Sequence, residues 1–315
     1  MSQTETTPTK RSPSFPSLLL RASAVALLSV AVAGAQQQKK NKKDAPSTAA
    51  ATTTAAQAPK LARTTTRHEV RRFGYGGALT ILGAPAGSIT IEAWPRSEVD
   101  ITADIELRAD TEEDLTRLAA VNTFLLDEDT NHLRILSVGT HDRATMKRVA
   151  KGFPKQLLGL PWKIDYRIRV PAITDIEIDA GRGPITLKGV EGAIRLTALE
   201  GDMTLNPAGG LLTATVGAGH VNITLASRNW RGAGADIRLA TGDLTLELPA
   251  GYSGDINADI LRTGRIENQY PTLEPCERTT FTPRSIKGRA GAGGPQLSLT
   301  VGDGILRIKK SPANE

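Results

Sequence analysis

The chain has 315 residues, a formal net charge of +6 and only 4% aromatic residues. So few aromatic side chains argue against a deep globular core and favour thin, layered β-structure packed with Ile, Leu, Val and Ala. A single cysteine, Cys276, excludes an internal disulfide bond and the paired-cysteine zinc patterns.

The first 35 residues have the features of an export signal. Basic residues precede a short apolar run at 22–33, and residues 33–35 form a small-residue cleavage site. Cleavage would start the mature chain at Gln36, and an uncleaved N-terminal membrane anchor is the alternative. Residues 36–66 are rich in Gln, Lys, Ala and Thr and predict a disordered tether. We therefore expect the protein to be exported to the periplasm, the outer surface or the medium.

Residues 67–310 are predicted to form one β-repeat domain, with 311–315 as a tail. Residues 73–82 suggest a first strand or two, and a glycine followed by alternating apolar residues at 87–91 has the pattern of the later repeat. Strict alternation over 99–107 predicts a strand with an acidic outer face. Thr111 is placed to cap one short helix near residues 111–121, with Asp114 as its capping-box partner.

Two insertions interrupt the domain, at 141–161 and 268–294. The first carries basic residues interleaved with apolar ones, and a basic amphipathic segment can lie on a membrane or bind an acidic polymer. A mobile surface insertion between two strands is the interpretation that we favour, because loops often carry such charge. The second insertion is rich in proline and contains Cys276, and it is expected to be too irregular for strands. The basic residues of the first insertion are Arg143, Lys147, Arg148, Lys151 and Lys155.

Glycine recurs every nine residues from 183 to 219 and the pattern resumes at 242. Apolar residues stand two and four places after each glycine, with a polar residue between them. Such a unit predicts a turn followed by a short strand with one buried face, because glycine allows positive φ. The predicted turn glycines are Gly183, Gly192, Gly201, Gly210, Gly219 and Gly242.

Two nine-residue units are long enough for one coil of a flattened stack, so the fold class predicted is an all-β solenoid, or single-stranded β-helix-like stack of short strands. Equivalent apolar side chains would form ladders about 4.8 Å apart. Lys309 and Lys310 are expected to close an edge of the sheet with charge. The predicted core ladder comprises Ile185, Leu187, Ile194, Leu196, Met203, Leu205, Leu212, Val221 and Ile223.

Three stretches of sequence resemble a known family. They are Gly87-Ser88-Ile89-Thr90-Ile91, Arg169-Val170-Pro171, and Gly293-Gly294-Pro295-Gln296-Leu297-Ser298-Leu299 with the following Gly302-Asp303-Gly304-Ile305. In their order they resemble the bacterial putative-adhesin β-strand repeat family, over about residues 68–310. The resemblance implies a β-solenoid-like fold and an extracytoplasmic location, and it brings no catalytic residues.

The sequence offers no clear chemistry. The histidines, His68, His132, His141 and His220, are far apart and no pair has metal-ligand spacing, so neither a metal site nor a cofactor is predicted. A β-helix carbohydrate-active enzyme would need clustered carboxylates. The candidates for that role are Asp175, Glu177 and Asp179 on one strand, and Asp202, Asp243 and Asp255 after turn glycines.

These features together predict a non-catalytic secreted or envelope protein that binds, scaffolds or adheres at the cell surface. An envelope-stress or regulatory accessory protein that binds a membrane partner is a second hypothesis, and the carbohydrate-active enzyme is a third. Candidate partners are an envelope polysaccharide, a membrane surface or another envelope protein, and no nucleic acid is expected.

Overall fold

The computed structural model describes residues 59–149, 152–276 and 278–312. The predicted signal, most of the predicted tether and residues 313–315 lie outside the described residues. Of the described residues, 63% are in strands and 8% are helical. Within them, no helix is long and apolar enough to cross a membrane.

The described strands form one open mixed sheet, so the all-β expectation is confirmed in its coarse form, as a mostly β protein. The described residues contain two α-helices where one was expected: α1 (Glu112–Ala119) lies at the predicted place, and α2 (Arg143–Val149) lies in the first insertion. The strands are β1 (Leu61–Arg72), β2 (Ala78–Ala86), β3 (Ile89–Trp94), β4 (Glu98–Ala109), β5 (Thr123–Asp129), β6 (His132–Val138), β7 (Trp162–Pro171), β8 (Asp175–Arg182), β9 (Ile185–Lys188), β10 (Glu191–Glu200), β11 (Met203–Asn206), β12 (Gly209–Ala218), β13 (Val221–Thr224), β14 (Gly234–Thr241), β15 (Leu244–Leu248), β16 (Gly254–Asn268), β17 (Leu273–Pro275), β18 (Ser285–Ala290) and β19 (Gln296–Lys310).

The glycine-spaced region forms two rows of parallel strands, because each nine-residue unit pairs with the unit eighteen residues further along. In the first row β10 lies between β8 and β12, with Ile194 opposite Leu212. In the second row β11 lies between β9 and β13, with Met203 opposite both Ile185 and Val221. Alternate side chains face the interior, as the two-residue period of a strand requires. Side chains that are at most 2% exposed include Ile185, Leu187, Ile194, Leu196, Met203, Leu205, Leu212, Val221 and Ile223.

Glycines are stacked where the chain passes from the first row to the second. Gly201 has a φ of +154°, and a Cβ built on it would overlap the carbonyl oxygen of Gly183. Only glycine fits this position, because the backbone of the neighbouring unit occupies the space of a side chain. The same column contains Gly183, Gly219 and Gly242. A second pair of glycines, Gly192 and Gly210, stacks where the chain returns to the first row. Of the six predicted turn glycines, only Gly192 lacks a positive φ.

An antiparallel block covers the N-terminal end of the two rows. Strand β4 pairs antiparallel with β1 on one side and with β7 on the other, and β7 pairs in parallel with β3. Helix α1 begins after Thr111, whose hydroxyl oxygen accepts a hydrogen bond from the backbone N–H of Asp114 at 3.1 Å. Leu115 and Leu118 of α1 are each 1% exposed and join the core. The block therefore prevents the end of the apolar stack from meeting water.

Strand β1 begins at Leu61, inside the stretch 36–66 that the sequence assigns to the tether. Four of its five half-buried positions are charged, so the apolar alternation that identifies a strand is missing. Arg63 pairs with Glu112 of α1 at 2.6 Å, and the Arg67 guanidinium lies 4.2 Å from the centre of the Phe124 ring. Inward-facing charges on an edge strand discourage pairing with another chain.

The last strand, β19, lies inside the sheet and not at its edge. It pairs in parallel with β14 and β15 on one side and with β16 on the other. The expectation that Lys309 and Lys310 close an edge is therefore wrong. Lys309 instead lies beside β15, where its ammonium group is 3.0 Å from the carboxylate of Glu247.

The second insertion contains two strands, contrary to the expectation that residues 268–294 are too irregular for them. Strand β18 pairs antiparallel with β16, and β17 pairs antiparallel with β18. Ile286 and Ala290 of β18 are 3% and 0% exposed, because they extend the core beyond β16. Short strands that alternate apolar residues with Gly and Lys carry too weak a pattern to be recognised in sequence.

Candidate functional site

Charged side chains on the outer face of the N-terminal block are paired with each other across strands. Asp100 on β4 accepts hydrogen bonds from Arg169 on β7 at 2.5 Å and from His68 on β1 at 2.8 Å. Burial alone would raise the pKa of Asp100, but these two hydrogen bonds outweigh it and hold the pKa below its usual range. Asp104 pairs in the same way with Arg167 at 2.6 Å. This face offers an external ligand few uncompensated charges.

Trp94 lies beside this paired face and is contacted by two arginines. The guanidinium carbons of Arg96 and Arg169 lie 4.9 and 4.8 Å from the centre of its ring. The indole N–H donates to the backbone carbonyl of Glu98 at 2.8 Å. This cluster is not recognisable in the sequence, where the alternation of acids on β4 and of bases on β7 indicates only that the two strands could pair through charges.

Several carboxylates considered for an enzyme are engaged by neighbouring strands. Asp175 accepts a hydrogen bond from the backbone N–H of Ala193 at 2.7 Å, and Asp202 accepts one from the backbone N–H of His220 at 2.9 Å. Asp243 and Asp255 are paired with arginines at 3.0 and 2.8 Å. Glu177 and Asp179 are exposed on the same strand as Asp175. Asp175, Asp202, Asp243 and Asp255 therefore fasten one strand or turn to the next.

The histidines lie in four separate environments. Besides the His68–Asp100 contact, the ring of His132 is 2.7 Å from the hydroxyl of Thr80, and His220 lies at the Asp202 turn. His141 packs on Trp162, with 5.2 Å between ring centres. No group of three His, Cys, Asp or Glu residues in the described ranges could hold a metal ion.

The first insertion is fastened to the core at both ends. Asp142 caps α2 by accepting hydrogen bonds from the backbone N–H of Ala144, at 2.9 Å, and from the hydroxyl of Thr145. Met146 of α2 is 9% exposed, and Leu157, in the 3-10 turn Lys155–Gly159, is 2% exposed. Two buried side chains therefore hold this segment against the domain. The sequence alone does not show which apolar residues of the segment are buried and which face outwards.

The described basic side chains of the same segment face outwards. Arg143, Lys147, Arg148 and Lys155 are exposed and form no ion pair with any described residue. Lys151 lies outside the described residues. We call residues 143–149 and 152–158 the basic segment. Its side chains differ from strand arginines such as Arg167 and Arg169, which pair with Asp104 and Asp100 on the neighbouring strand β4.

Apolar residues accompany these charges. Leu158 is 41% exposed although its neighbour Leu157 is buried, because a 3-10 turn directs successive side chains to different sides. Phe153 and Leu160 are partly buried and pack against the edge of the core. The segment thus presents one exposed leucine among basic side chains.

An open cleft of about 1140 Å³ lies in the N-terminal block, where the turns at residues 72–74, 96–98 and 128–130 meet. Its acidic residues are largely engaged: Asp129 lies 3.4 Å from Arg134, and Glu128 lies 3.6 Å from Arg71. The cleft is polar and shallow, and its described side chains include the guanidinium groups of Arg72 and Arg96. It lacks the apolar, enclosed character of most small-molecule pockets.

No family model and no curated protein matches this chain. Membership of the family suggested by the three sequence stretches therefore stays a prediction. The solved structures to which the chain is similar include a putative cell adhesion protein from Clostridium sporogenes (12% identity, TM-score 0.44, covering 78% of this chain and 100% of that one), a putative adhesin from Bacteroides fragilis (10%, 0.34, 81% and 100%) and a putative lipid binding protein from Parabacteroides distasonis (12%, 0.22, 78% and 97%).

Proposed function

We propose that this protein is a non-catalytic, exported β-repeat protein that binds an anionic component of the cell envelope and acts there in adhesion or scaffolding. The observation that carries the proposal is the basic segment. Its four described cations have no ion partner among the described residues. Exposed like charges held close together repel one another, and an anionic partner relieves that repulsion.

The rest of the domain serves as the rigid support of this segment. We propose that the paired rows are the two sides of a β-solenoid, in which each coil consists of two nine-residue units. The eighteen-residue register between β8, β10 and β12, and between β9, β11 and β13, supports this arrangement. Such a stack resists bending because every coil is hydrogen-bonded to its neighbours.

Export is the second element of the proposal. It is supported by the apolar run at 22–33 and the small-residue site at 33–35, both outside the described residues. The lysine-rich stretch that follows would tether the domain to the envelope. N-terminal sequencing of the protein from an extracytoplasmic fraction tests this element, and the expected first residue is Gln36.

The enzyme hypothesis is less well supported because four of the six candidate acids, all but Glu177 and Asp179, have structural partners. Asp175 accepts from a backbone N–H of the next strand, and Asp243 is ion-paired with Arg307. A general acid or nucleophile must be free to reach the substrate. Turnover of any polysaccharide that is lost in Asp175→Asn or Asp179→Asn would overturn the non-catalytic proposal.

Binding to isolated envelope fragments tests the proposal directly. We expect the full-length protein to sediment with the fragments at low salt and to be released at high salt, because screening weakens exposed charge contacts. Lys147→Glu with Arg148→Glu should weaken binding by at least about 10-fold. Arg195→Glu is the matched control, since Arg195 is also exposed and unpaired among the described residues but lies on the face of β10. Equal binding by the wild type, the double variant and the Arg195→Glu control would refute the proposal.

A further inference from the structure

We propose that the basic segment docks on the surface of an anionic lipid bilayer, with Leu158 inserted at the level of the headgroups. This inference rests on the proposed function and names the partner. The bilayer is preferred to an acidic polysaccharide because the segment combines cations with an exposed apolar side chain. A polysaccharide would use the charges and gain little from the leucine.

The geometry keeps the cations on the outer side of the segment. Arg143 and Lys147 are four residues apart in α2, so they share a face of the helix. Met146 occupies the other face and is buried in the core. Since one side is fixed by packing, the basic side is held outwards before any partner arrives, and little conformational entropy is lost on docking.

No carboxylate within the segment neutralises these cations. Asp142 is the one acidic residue between 141 and 160, and its two oxygens accept hydrogen bonds from Ala144 and Thr145 at the start of α2. Those hydrogen bonds, that of Thr145 first, lower the pKa of Asp142, so it is an anion committed to the helix cap. The positive charge of the outer side is therefore available to phospholipid headgroups.

Leu158 supplies the second part of a membrane-surface signature. It is 41% exposed, whereas Leu157 beside it is 2% exposed and anchors the turn. Partly buried Phe153 and Leu160 flank the turn and widen its apolar base. Basic residues attract a segment to anionic lipid, and an apolar side chain then enters the boundary between headgroups and acyl chains. Such a contact is reversible and sensitive to salt.

Flotation with phosphatidylcholine vesicles, with and without phosphatidylglycerol, tests the inference in the full-length chain. Each basic side chain near an anionic surface contributes about 5-fold in affinity. Lys147→Glu with Arg148→Glu should therefore lower binding to the anionic vesicles by at least about 25-fold. Arg195→Glu should leave it unchanged. The N-terminal lysines are common to all variants, so the difference reports the segment alone.

Substitutions of Leu158 distinguish binding to lipid from binding to polysaccharide. Leu158→Ser should lower binding to phosphatidylglycerol vesicles by about 5-fold and leave binding to a soluble acidic polysaccharide unchanged. A tryptophan introduced by Leu158→Trp should shift its emission to the blue when anionic vesicles are added. The control is Leu199→Trp, because Leu199 is 69% exposed on the flat face of β10, away from the segment.

The outcomes separate this inference from the proposed function. If the double charge reversal abolishes binding to envelope fragments but vesicle binding is absent or unaffected by it, the bilayer proposal is overturned and the proposed function stands. If Leu158→Ser weakens vesicle and polysaccharide binding equally, the insertion of Leu158 is overturned. If envelope and vesicle binding are both indifferent to the charge reversal, both proposals fail.

Discussion

Asp100 on β4 accepts a hydrogen bond from the guanidinium group of Arg169 on β7, with 2.5 Å between the two atoms. The Asp100 side chain is 8% exposed, and His68 donates to its other oxygen from β1. One buried carboxylate thus connects three strands at the end of the repeat. Such a carboxylate stabilises the fold only while it is ionised and paired.

The first prediction concerns the charge of Asp100. Burial opposes ionisation, but hydrogen bonds from His68 and Arg169 keep the pKa of Asp100 below its usual value in the folded protein. The unfolded chain therefore takes up the proton first as the pH falls, so the contribution of Asp100 is present above about pH 4 and is lost through the lower, folded pKa. Asp100→Asn should lower the free energy of unfolding by about 1–3 kcal/mol at neutral pH, and by less in acid.

Urea unfolding of the two proteins between neutral pH and pH 3 would measure this difference. Asp179→Asn is the control, because the exposed carboxylate of Asp179 has no hydrogen-bond or ion-pair partner in the described part of the chain. A loss of stability that is the same at every pH would contradict an electrostatic role for Asp100.

The second prediction separates the two faces of one short strand. Leu205 of β11 is 0% exposed, and Thr204 next to it is exposed. Leu205→Asp buries a carboxylate without a partner and should cost at least about 4 kcal/mol, enough to unfold the domain. Thr204→Asp should change stability by less than about 1 kcal/mol. Thermal unfolding followed by circular dichroism distinguishes them, and equal damage from both would refute the assignment of faces.

The third prediction tests the glycine column. Gly201→Ala places a Cβ against the carbonyl oxygen of Gly183 at a φ of +154°. Because the obstruction is backbone and cannot rotate away, we expect a loss of at least about 3 kcal/mol. Gly159→Ala is the matched control, since nothing lies within 4 Å of its added Cβ. A Gly201→Ala protein that melts with the wild type would show that neighbouring units can separate at no cost.

The repeat was accessible from sequence because its information is local and periodic. The spacing alone predicts that Met203 lies beside Val221, and the two are partners in the structure. The basic segment was equally visible as composition. The sequence did not show which of its leucines faces outwards, because Leu157 and Leu158 are adjacent and their orientation depends on how the turn packs on the core.

Elements that depend on distant partners could not be predicted. Strand β1 lacks apolar alternation because Arg63 and Arg67 are satisfied by Glu112 and by Phe124, and these contacts form only in the folded domain. The position of β19 is a similar case. The unit at Gly304 has the same pattern as that at Gly242, and the pattern predicts which side chains are buried but not the order of the strands.

The fourth prediction follows from that strand order. Leu299 of β19 is the partner of Ile237 on one side and of Ala258 on the other, so β19 fills a gap between strands that precede it in the chain. Without residues 296–315, β14 and β16 would each have an unpaired edge and the core would lose Leu297, Val301 and Leu306. The shortened chain should therefore fail to unfold cooperatively and should be cleaved rapidly by proteases, because unpaired polar backbone and exposed apolar surface are both costly. Adding a peptide of residues 296–312 should restore protection.

Removal of residues 313–315 is the control and should change nothing. A chain without β19 that melts cooperatively at the wild-type temperature would show that β16 can close directly onto β14 and β15.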